Sequence, residues 1–176
     1  MGSFGEITFV DSHIVRKTIT EPDGYNLEIA VFEIPVLWYL RDVKGVVRIV
    51  SDDFDHVVGG VSFHMERHQK GLFLLDDHEV SEHFNSIVDQ LIDTYTTINR
   101  MGVSHGDIKP SNVMIDINEN TIHTTIIDFG GSRLLPYMEC DSRDRLLSDD
   151  AVELGILIFS LALCRGDFGA QLPQDF

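Results

Sequence analysis

The sequence predicts an α+β fold built as two unequal lobes of one domain. Runs of β-branched residues dominate the first part around one helical pattern, and helical patterns dominate the second part around one hairpin. A length of 176 residues with 43% hydrophobic residues suits a single globular domain. We expect this domain to cover residues 1–176, with a small β-rich lobe at about residues 1–66 and a shortened, mainly helical lobe at about residues 67–176.

Four strands are predicted in the first lobe. Residues 6–10 and 13–19 are rich in β-branched side chains on either side of an Asp11-Ser12 turn, which predicts a hairpin. The apolar runs at residues 46–50 and 61–65 predict two further strands.

One helix is predicted between these strands. After a loop of turn-forming residues at 21–24, apolar residues recur at helical spacing across residues 26–40. Pro35 interrupts the pattern, so we expect a kink or a late helix start at that position.

The second lobe is predicted to hold two long helices around a hairpin. Residues 80–101 carry one apolar helical face, and Gly102 follows as a stop signal. Residues 113–117 and 124–127 read as the two strands of a hairpin. A Ser-Asp-Asp cluster at 148–150 predicts a helix start, and the helix that it opens, over residues 151–164, is apolar on nearly every side.

The most informative residues lie between these two helices. Residues 105–112 read His-Gly-Asp-Ile-Lys-Pro-Ser-Asn, and Asp128 opens an Asp-Phe-Gly triplet after the hairpin. Asp107 can accept a proton from a hydroxyl, and Lys109 can offset the charge of a phosphoryl group in transfer. Asn112 and Asp128 offer the hard oxygen ligands that Mg²⁺ prefers. This combination predicts phosphoryl transfer.

These motifs resemble the catalytic loop and the metal-binding motif of eukaryotic-type protein kinases. The His-Gly-Asp form is similar to that of fungal kinase-like proteins. The resemblance implies a reduced bilobal protein-kinase-like fold that uses ATP and Mg²⁺ and phosphorylates serine or threonine. In that family the roles given above belong to the residues that match Asp107, Lys109, Asn112 and Asp128.

Weaker counterparts of nucleotide-binding motifs lie in the first lobe. Gly2 and Gly5 resemble the later part of a glycine-rich phosphate loop, whose first glycine would precede the chain. The stretch around Lys17 resembles the strand that carries the nucleotide-binding lysine. The resemblance implies an acidic partner on the following helix, for which Glu33 fits best and Glu28 is the alternative.

The resemblance also implies an adenine site. Met65 and Glu66 resemble the passage from the last strand of the first lobe into the hinge, where backbone groups near residues 66–68 would bond the base. Val15 and Met114 would lie on its two faces. Asp150 resembles the buried aspartate that opens the central helix and accepts N–H bonds from the catalytic loop, and an ordinary N-cap role is compatible with that.

Three departures from the family pattern lead to further expectations. Gly106 replaces the usual arginine that meets an activating phosphate, so any activity should be constitutive or controlled by a partner. Only about two dozen residues follow Asp128 before the predicted central helix, without an Ala-Pro-Glu motif, so the peptide platform should be missing or rebuilt. The later helices of the family do not fit into residues 165–176.

The last departure predicts an interface. A helix that is apolar on all sides needs cover on all sides, and here one flank would stay exposed. We therefore expect a homodimer or a bound partner over the flank bounded by Leu154 and Leu163.

Composition limits the other partners. With 13 basic and 29 acidic residues the net charge is −16, which disfavours nucleic acid and anionic membranes and favours a basic substrate or partner. There is no signal-peptide pattern, the longest apolar run is too short for a membrane span, and two cysteines form no disulfide framework. We expect a cytoplasmic or nuclear protein.

Two alternatives to a minimal serine/threonine kinase stay open. The chain could be a catalytically weak kinase-like module that binds or inhibits a partner kinase. It could also be a small-molecule phosphotransferase, because aminoglycoside and choline kinases share the His-Gly-Asp loop. Lys109-Pro110 and the intact Asp-Phe-Gly favour the protein kinases.

Overall fold

A four-stranded antiparallel sheet forms the first lobe. The computed structural model describes residues 5–20, 27–50, 55–57, 60–119 and 121–164. The strands are β1 (Glu6–Phe9), β2 (Ile14–Thr20), β3 (Asp55–Val57) and β4 (Gly60–Glu66), in the order β1-β2-β4-β3. The predicted hairpin and the predicted strand at 61–65 are therefore present, whereas the predicted loop at 21–24 lies outside the described residues.

Asp11 closes the turn between β1 and β2. Its Oδ1 accepts hydrogen bonds from the backbone N–H groups of His13, at 2.7 Å, and Ile14, at 2.9 Å. An aspartate that bonds the amides just after it stabilises a turn. The strand that follows pairs with β4 in a register that sets Lys17 opposite Phe63.

Helix α1 (Leu27–Tyr39) packs one side against this sheet. Its inner side chains, including Leu37 and Leu40 just beyond its end, are buried, whereas Phe32 is 54% exposed. The helix Leu27–Tyr39 runs through Pro35, so the expected late start at the proline is wrong, whereas the alternative, a kink there, stays a prediction. The eight residues before Pro35 already form helix, so packing of the helix outweighs the lost hydrogen bond and the steric clash that a proline causes inside a helix.

The predicted strand at residues 46–50 is replaced by two isolated bridges. Val46 pairs with Ile126 in the second lobe, and Ile49 pairs with Met65 in β4. The segment divides its backbone hydrogen bonds between two sheets, so it forms no continuous ladder with either. It joins the two lobes instead.

Helix α2 (Asp77–Arg100) is the long amphipathic helix of the second lobe. Asp76 and Glu79 form a reciprocal capping box at its start, with N···O distances of 2.8 and 3.0 Å. Its buried face includes Ile87, Leu91 and Ile98. The prediction for residues 80–101 is confirmed, with a start three residues earlier.

Short strands frame the loop that follows α2. Strands β5 (Lys70–Gly71), β7 (Val113–Asn118) and β8 (Thr121–Ile126) form one sheet, and β6 (Val103–Ser104) pairs with β9 (Arg133–Leu134). The hairpin of β7 and β8 was predicted. The two-residue strands β5, β6 and β9 are too short to leave a periodic pattern.

Helix α3 (Cys140–Cys164) differs from its prediction at its start. It begins at Cys140, so the cluster at 148–150 is helix interior and the expected N-cap role of Asp150 is wrong. The preceding residues are charged and compatible with helix, with an i,i+4 ion pair between Arg145 and Asp149 at 3.8 Å. Residues 129–139 are thus all that separates Asp128 from the central helix.

One core of buried side chains runs through both lobes, from β2 and α1 to α2, β7 and α3. The α+β fold with a small β-rich first lobe is confirmed, whereas the lobe boundary near residue 66 stays a prediction. Within the described ranges, no helix is both long enough and apolar enough to cross a membrane.

Candidate active site

Asp150 of α3 accepts backbone hydrogen bonds from the catalytic-loop motif. Its Oδ2 accepts the backbone N–H of His105, and its Oδ1 accepts the backbone N–H of Gly106, both at 2.9 Å. Asp150 is only 1% exposed, its bond to His105 is buried, and its bond to the exposed Gly106 is partly buried. Asp150 therefore lies where the expected acceptor of the loop N–H groups would lie, although it is inside the helix rather than at its start.

The ring of His105 is a neutral structural element. Its Nε2 lies 3.1 Å from the carbonyl oxygen of Ile127, and its Nδ1 lies 3.3 Å from the backbone N of Asp107. Because a carbonyl only accepts and an N–H only donates, the proton belongs on Nε2. Burial lowers the pKa of His105, although nearby carboxylates oppose the shift.

Aromatic packing fixes this ring in place. His105 lies edge-on to Phe129, with centroids 4.7 Å apart, and edge-on to Tyr95 at 6.0 Å. Phe129 belongs to the Asp-Phe-Gly triplet and is fully buried. The two motifs therefore contact each other through their aromatic side chains.

Gly106 fits a position where a side chain would be strained. Its φ is +77°, and a Cβ built there would lie 2.7 Å from the carbonyl oxygen of Gly131. The left-handed conformation and this close approach both favour glycine. The arginine of the related motif would have to displace the segment after Asp128.

Asp107, Lys109 and Asn112 form one hydrogen-bonded group. Lys109 Nζ lies 2.6 Å from Asp107 Oδ2. Asn112 Nδ2 donates to the carbonyl oxygen and to Oδ2 of Asp107, both at 2.9 Å. Asn112 is buried, whereas the side chains of Asp107 and Lys109 are 42% and 48% exposed. A carboxylate is thus held by a buried amide and open to solvent.

Lys17 joins the two lobes through a buried ion cluster. Its Nζ lies 2.7 and 2.8 Å from the two carboxylate oxygens of Glu33 and 2.8 Å from Asp128 Oδ1. Glu33 is fully buried. The expected pairing of Lys17 with Glu33 is present, and the side chain of the alternative Glu28 lies outside what the structure describes.

The protonation of this cluster follows from its surroundings. Burial acts to lower the pKa of Lys17, but Glu33 and Asp128 outweigh it and raise that pKa above its ordinary value. Lys17 is therefore a permanent cation that two carboxylates share. Burial is also the main influence on Glu33 and raises its pKa, with Lys17 opposing the shift.

Asp128 occupies an uncommon backbone conformation. Its φ of 65° and ψ of 68° are left-handed, a region that aspartate visits more readily than most residues. A single 3₁₀ turn, Phe129–Gly131, follows at once. This bend sends the carboxylate of Asp128 toward Lys17 while Phe129 enters the core.

The predicted metal ligands suit Mg²⁺ chemically. Asn112 uses its amide nitrogen on Asp107, so its amide oxygen is directed away from that carboxylate. Asp128 adds a carboxylate that is 25% exposed. Among the described residues, no group of three or more His, Cys, Asp or Glu side chains could hold a metal. One or two oxygen ligands are what Mg²⁺ commonly takes from protein when phosphates and water supply the rest.

The predicted adenine-site residues are only partly brought together. Val15 and Met65 are buried Cα partners on β2 and β4, and Met114 is partly buried on β7. Gly5 comes just before β1, and a Cβ added at Gly5 would lie 3.3 Å from Lys17 Cε. Gly2 lies outside the described residues, so its expected place in a phosphate loop stays a prediction.

The hinge stretch has fewer open donors than expected. The N–H of Glu66 bonds the carbonyl of Arg48 at 3.0 Å, and the N–H of Arg67 bonds the carbonyl of His13 at 2.8 Å. The Glu66 side chain forms an ion pair with Arg48 at 3.4 Å. A base could therefore bond this stretch only through its other backbone groups.

Sequence reasoning missed Glu153. Its Oε2 accepts the backbone N–H of Ile108 at 2.8 Å, so it contacts the loop from the same helix as Asp150. The available signal was a spacing of three residues from Asp150, which sets both side chains on one helical face.

Comparison with protein families matches residues 14–146 to a family described as the protein kinase domain, which covers more than half of the 176 residues. A search of curated proteins finds no significant match.

Proposed function

Because the chain belongs to the protein kinase domain family, we propose that it is a minimal serine/threonine protein kinase that uses ATP and Mg²⁺. The observation that supports this proposal most directly is the position of Lys17, whose Nζ lies within 2.8 Å of both Glu33 and Asp128. It brings the predicted nucleotide-binding lysine of one lobe against the predicted metal ligand of the other.

Each group has a role in this proposal. Lys17 would leave Asp128 for the phosphates of the nucleotide and keep Glu33 as its anchor. Asn112 and Asp128 would hold Mg²⁺, which neutralises charge on the phosphates when it is bound. Asp107 would accept the proton of the attacking hydroxyl, and Lys109 would move from Asp107 to the transferred group.

The experiment compares wild type with Asp107→Asn. Mg²⁺-ATP binding is measured by calorimetry, and phosphate transfer is measured with and without a lysine- and arginine-rich protein. We expect the variant to bind the nucleotide normally and to lose turnover by about 10²–10⁴-fold. Asp149→Asn, an exposed change on α3, is the control for removal of one negative charge.

The other outcomes separate the candidate functions. Nucleotide binding without turnover in wild type would leave the weak module that binds or inhibits a partner kinase, which the exposed flank of α3 favours. Transfer to an aminoglycoside or choline, but not to protein, would identify the small-molecule phosphotransferase. Turnover that survives Asp107→Asn would remove Asp107 as the base.

We also propose that two copies associate through the outer flank of α3. Val152, Ile156 and Phe159 are 58%, 61% and 51% exposed and follow one another at helical spacing. Glu153 is the single charged residue between positions 151 and 164, and its carboxylate bonds the catalytic loop. Within residues 151–164, two such flanks can meet without opposing like charges, despite the net charge of −16.

Light scattering at micromolar concentration tests this association. A dimer in wild type and a monomer in Ile156→Lys would support the flank as the interface. Ser81→Lys, on the exposed face of α2, controls for the added charge. A wild-type monomer would exclude the homodimer.

A further inference from the structure

Helix α3 presents two carboxylates, one turn apart, to the catalytic loop. Asp150 accepts the N–H groups of His105 and Gly106 at 2.9 Å, and Glu153 accepts the N–H of Ile108 at 2.8 Å. Side chains three residues apart on a helix lie on the same face, so both reach the same stretch of backbone.

Four successive backbone donors of the loop are accounted for in this way. His105, Gly106 and Ile108 donate to α3, and Asp107 donates to the His105 ring at 3.3 Å. Asp150 thus holds the residues before Asp107, and Glu153 holds the residue after it.

The surroundings of Glu153 argue against an ordinary solvated carboxylate. It is half-buried within a stretch, residues 151–164, that has no other charged side chain. A carboxylate in apolar surroundings needs hydrogen-bond partners, and Ile108 supplies one. Ile108 as a whole residue is 5% exposed, so its amide has little access to water as a substitute partner.

We propose that Glu153 is a positioning residue for Asp107 in the phosphoryl transfer described above, on which this inference rests. By accepting the Ile108 N–H, it prevents rotation of the peptide that follows Asp107. Lys109 and Asn112 hold the carboxylate of Asp107 directly, but their effect depends on a fixed backbone. Glu153 acts through Ile108 and touches no reacting atom.

The experiment compares Glu153→Ala, Glu153→Gln and the control Asp149→Ala. Amide hydrogen exchange of Ile108 is followed by NMR in the absence of nucleotide, and kcat and KM for ATP are measured separately. Glu153→Ala should speed the Ile108 exchange, with the core amides of α2 unchanged, and lower kcat by about 10²-fold with KM preserved. Glu153→Gln should restore both, because its amide oxygen accepts the same bond. The control changes neither.

The two readouts keep the inference separate from the proposed function. An unchanged Ile108 exchange, or a loss of kcat that glutamine does not restore, overturns the positioning role. A wild type without turnover defeats the proposed function and the positioning role together, while the exchange still decides whether Glu153 holds Ile108. If Glu153→Ala does not fold, Glu153→Asp replaces it, because its carboxylate is one methylene too short and predicts the same losses.

Discussion

Lys17 and Lys109 both contact carboxylates at hydrogen-bond distance, but their surroundings are opposite. Lys17 lies at the junction of the lobes with 7% of its side chain exposed, between Glu33 and Asp128. Lys109 lies on the catalytic loop with 48% exposed, beside Asp107. The buried lysine is a part of the folded core, whereas the exposed one can change partners at little cost.

This difference separates the two lysines by their weight in the stability of the fold, while the proposed reaction uses both. A buried cation shared by two carboxylates is expensive to unpair, so it defines where the lobes meet. An exposed ion pair contributes little to stability, so its members are available for a substrate.

Lys17→Met should have the largest effect on stability. It leaves Glu33 buried without its cation, so we expect the free energy of unfolding to fall by about 3–5 kcal/mol in urea titrations. Arg16→Met is the comparison variant, since Arg16 lies on the same strand with 44% of its side chain exposed and makes only exposed contacts, to His64 Nε2 at 3.3 Å and to Asp55 at 4.0 Å. An equal loss of unfolding free energy in both variants would show that the buried cluster stabilises the fold no more than an exposed contact does.

Gly106→Ala tests the backbone next to the exposed pair of Asp107 and Lys109. A side chain at a φ of +77°, close to the carbonyl of Gly131, should cost about 1–3 kcal/mol of unfolding free energy. Gly155→Ala is the contrasting variant, because a Cβ there meets nothing within 4 Å and alanine favours a helix. Calorimetry should show a lower Tm for the first and an unchanged or higher Tm for the second.

The pH dependence of stability should contain a contribution from the protonation of His105. Its pKa is lowered by burial, so the folded protein resists a proton that the unfolded chain accepts below about pH 6.5. Stability should therefore fall as the pH drops below that value, by at most about 1.4 kcal/mol per pH unit. His105→Asn cannot titrate, and its urea-unfolding curves should lack this component. Identical pH profiles for both proteins would show that the ring is not held neutral.

Lys109→Met should have the smallest effect on stability, about 0–1 kcal/mol, since its ion pair with Asp107 is exposed. Phosphate transfer should nevertheless fall strongly, because the lysine would no longer offset charge on the transferred group. A large loss of unfolding free energy here would remove the contrast with Lys17.

Much of the site could be predicted because its groups are close in sequence. Asp107, Lys109 and Asn112 lie within six residues, so their spacing alone indicated a shared function, and the structure joins them by hydrogen bonds. The choice of Glu33 over Glu28 also followed from motif spacing, and Lys17 contacts Glu33.

Other contacts could not be predicted from local patterns. The approach of Lys17 to Asp128 joins positions 111 residues apart, and Glu153 reaches Ile108 across 45 residues. The start of α3 at Cys140 is not predictable because the first half of the helix is polar and shows no apolar face. The 46–50 segment has the composition of a strand, and its composition does not indicate that its bonds go to two sheets.

The sequence by itself determined the fold class, the amphipathic helix α2 and the identity of the candidate phosphoryl-transfer groups, because periodicity and motif spacing act over a few residues. Only the tertiary structure decided which carboxylates share Lys17, that Gly106 meets Gly131, and that Glu153 supports the loop beside Asp150. Those contacts depend on how α1, α3 and the hairpin pack, since burial and long-range hydrogen bonds exist only once the lobes have come together.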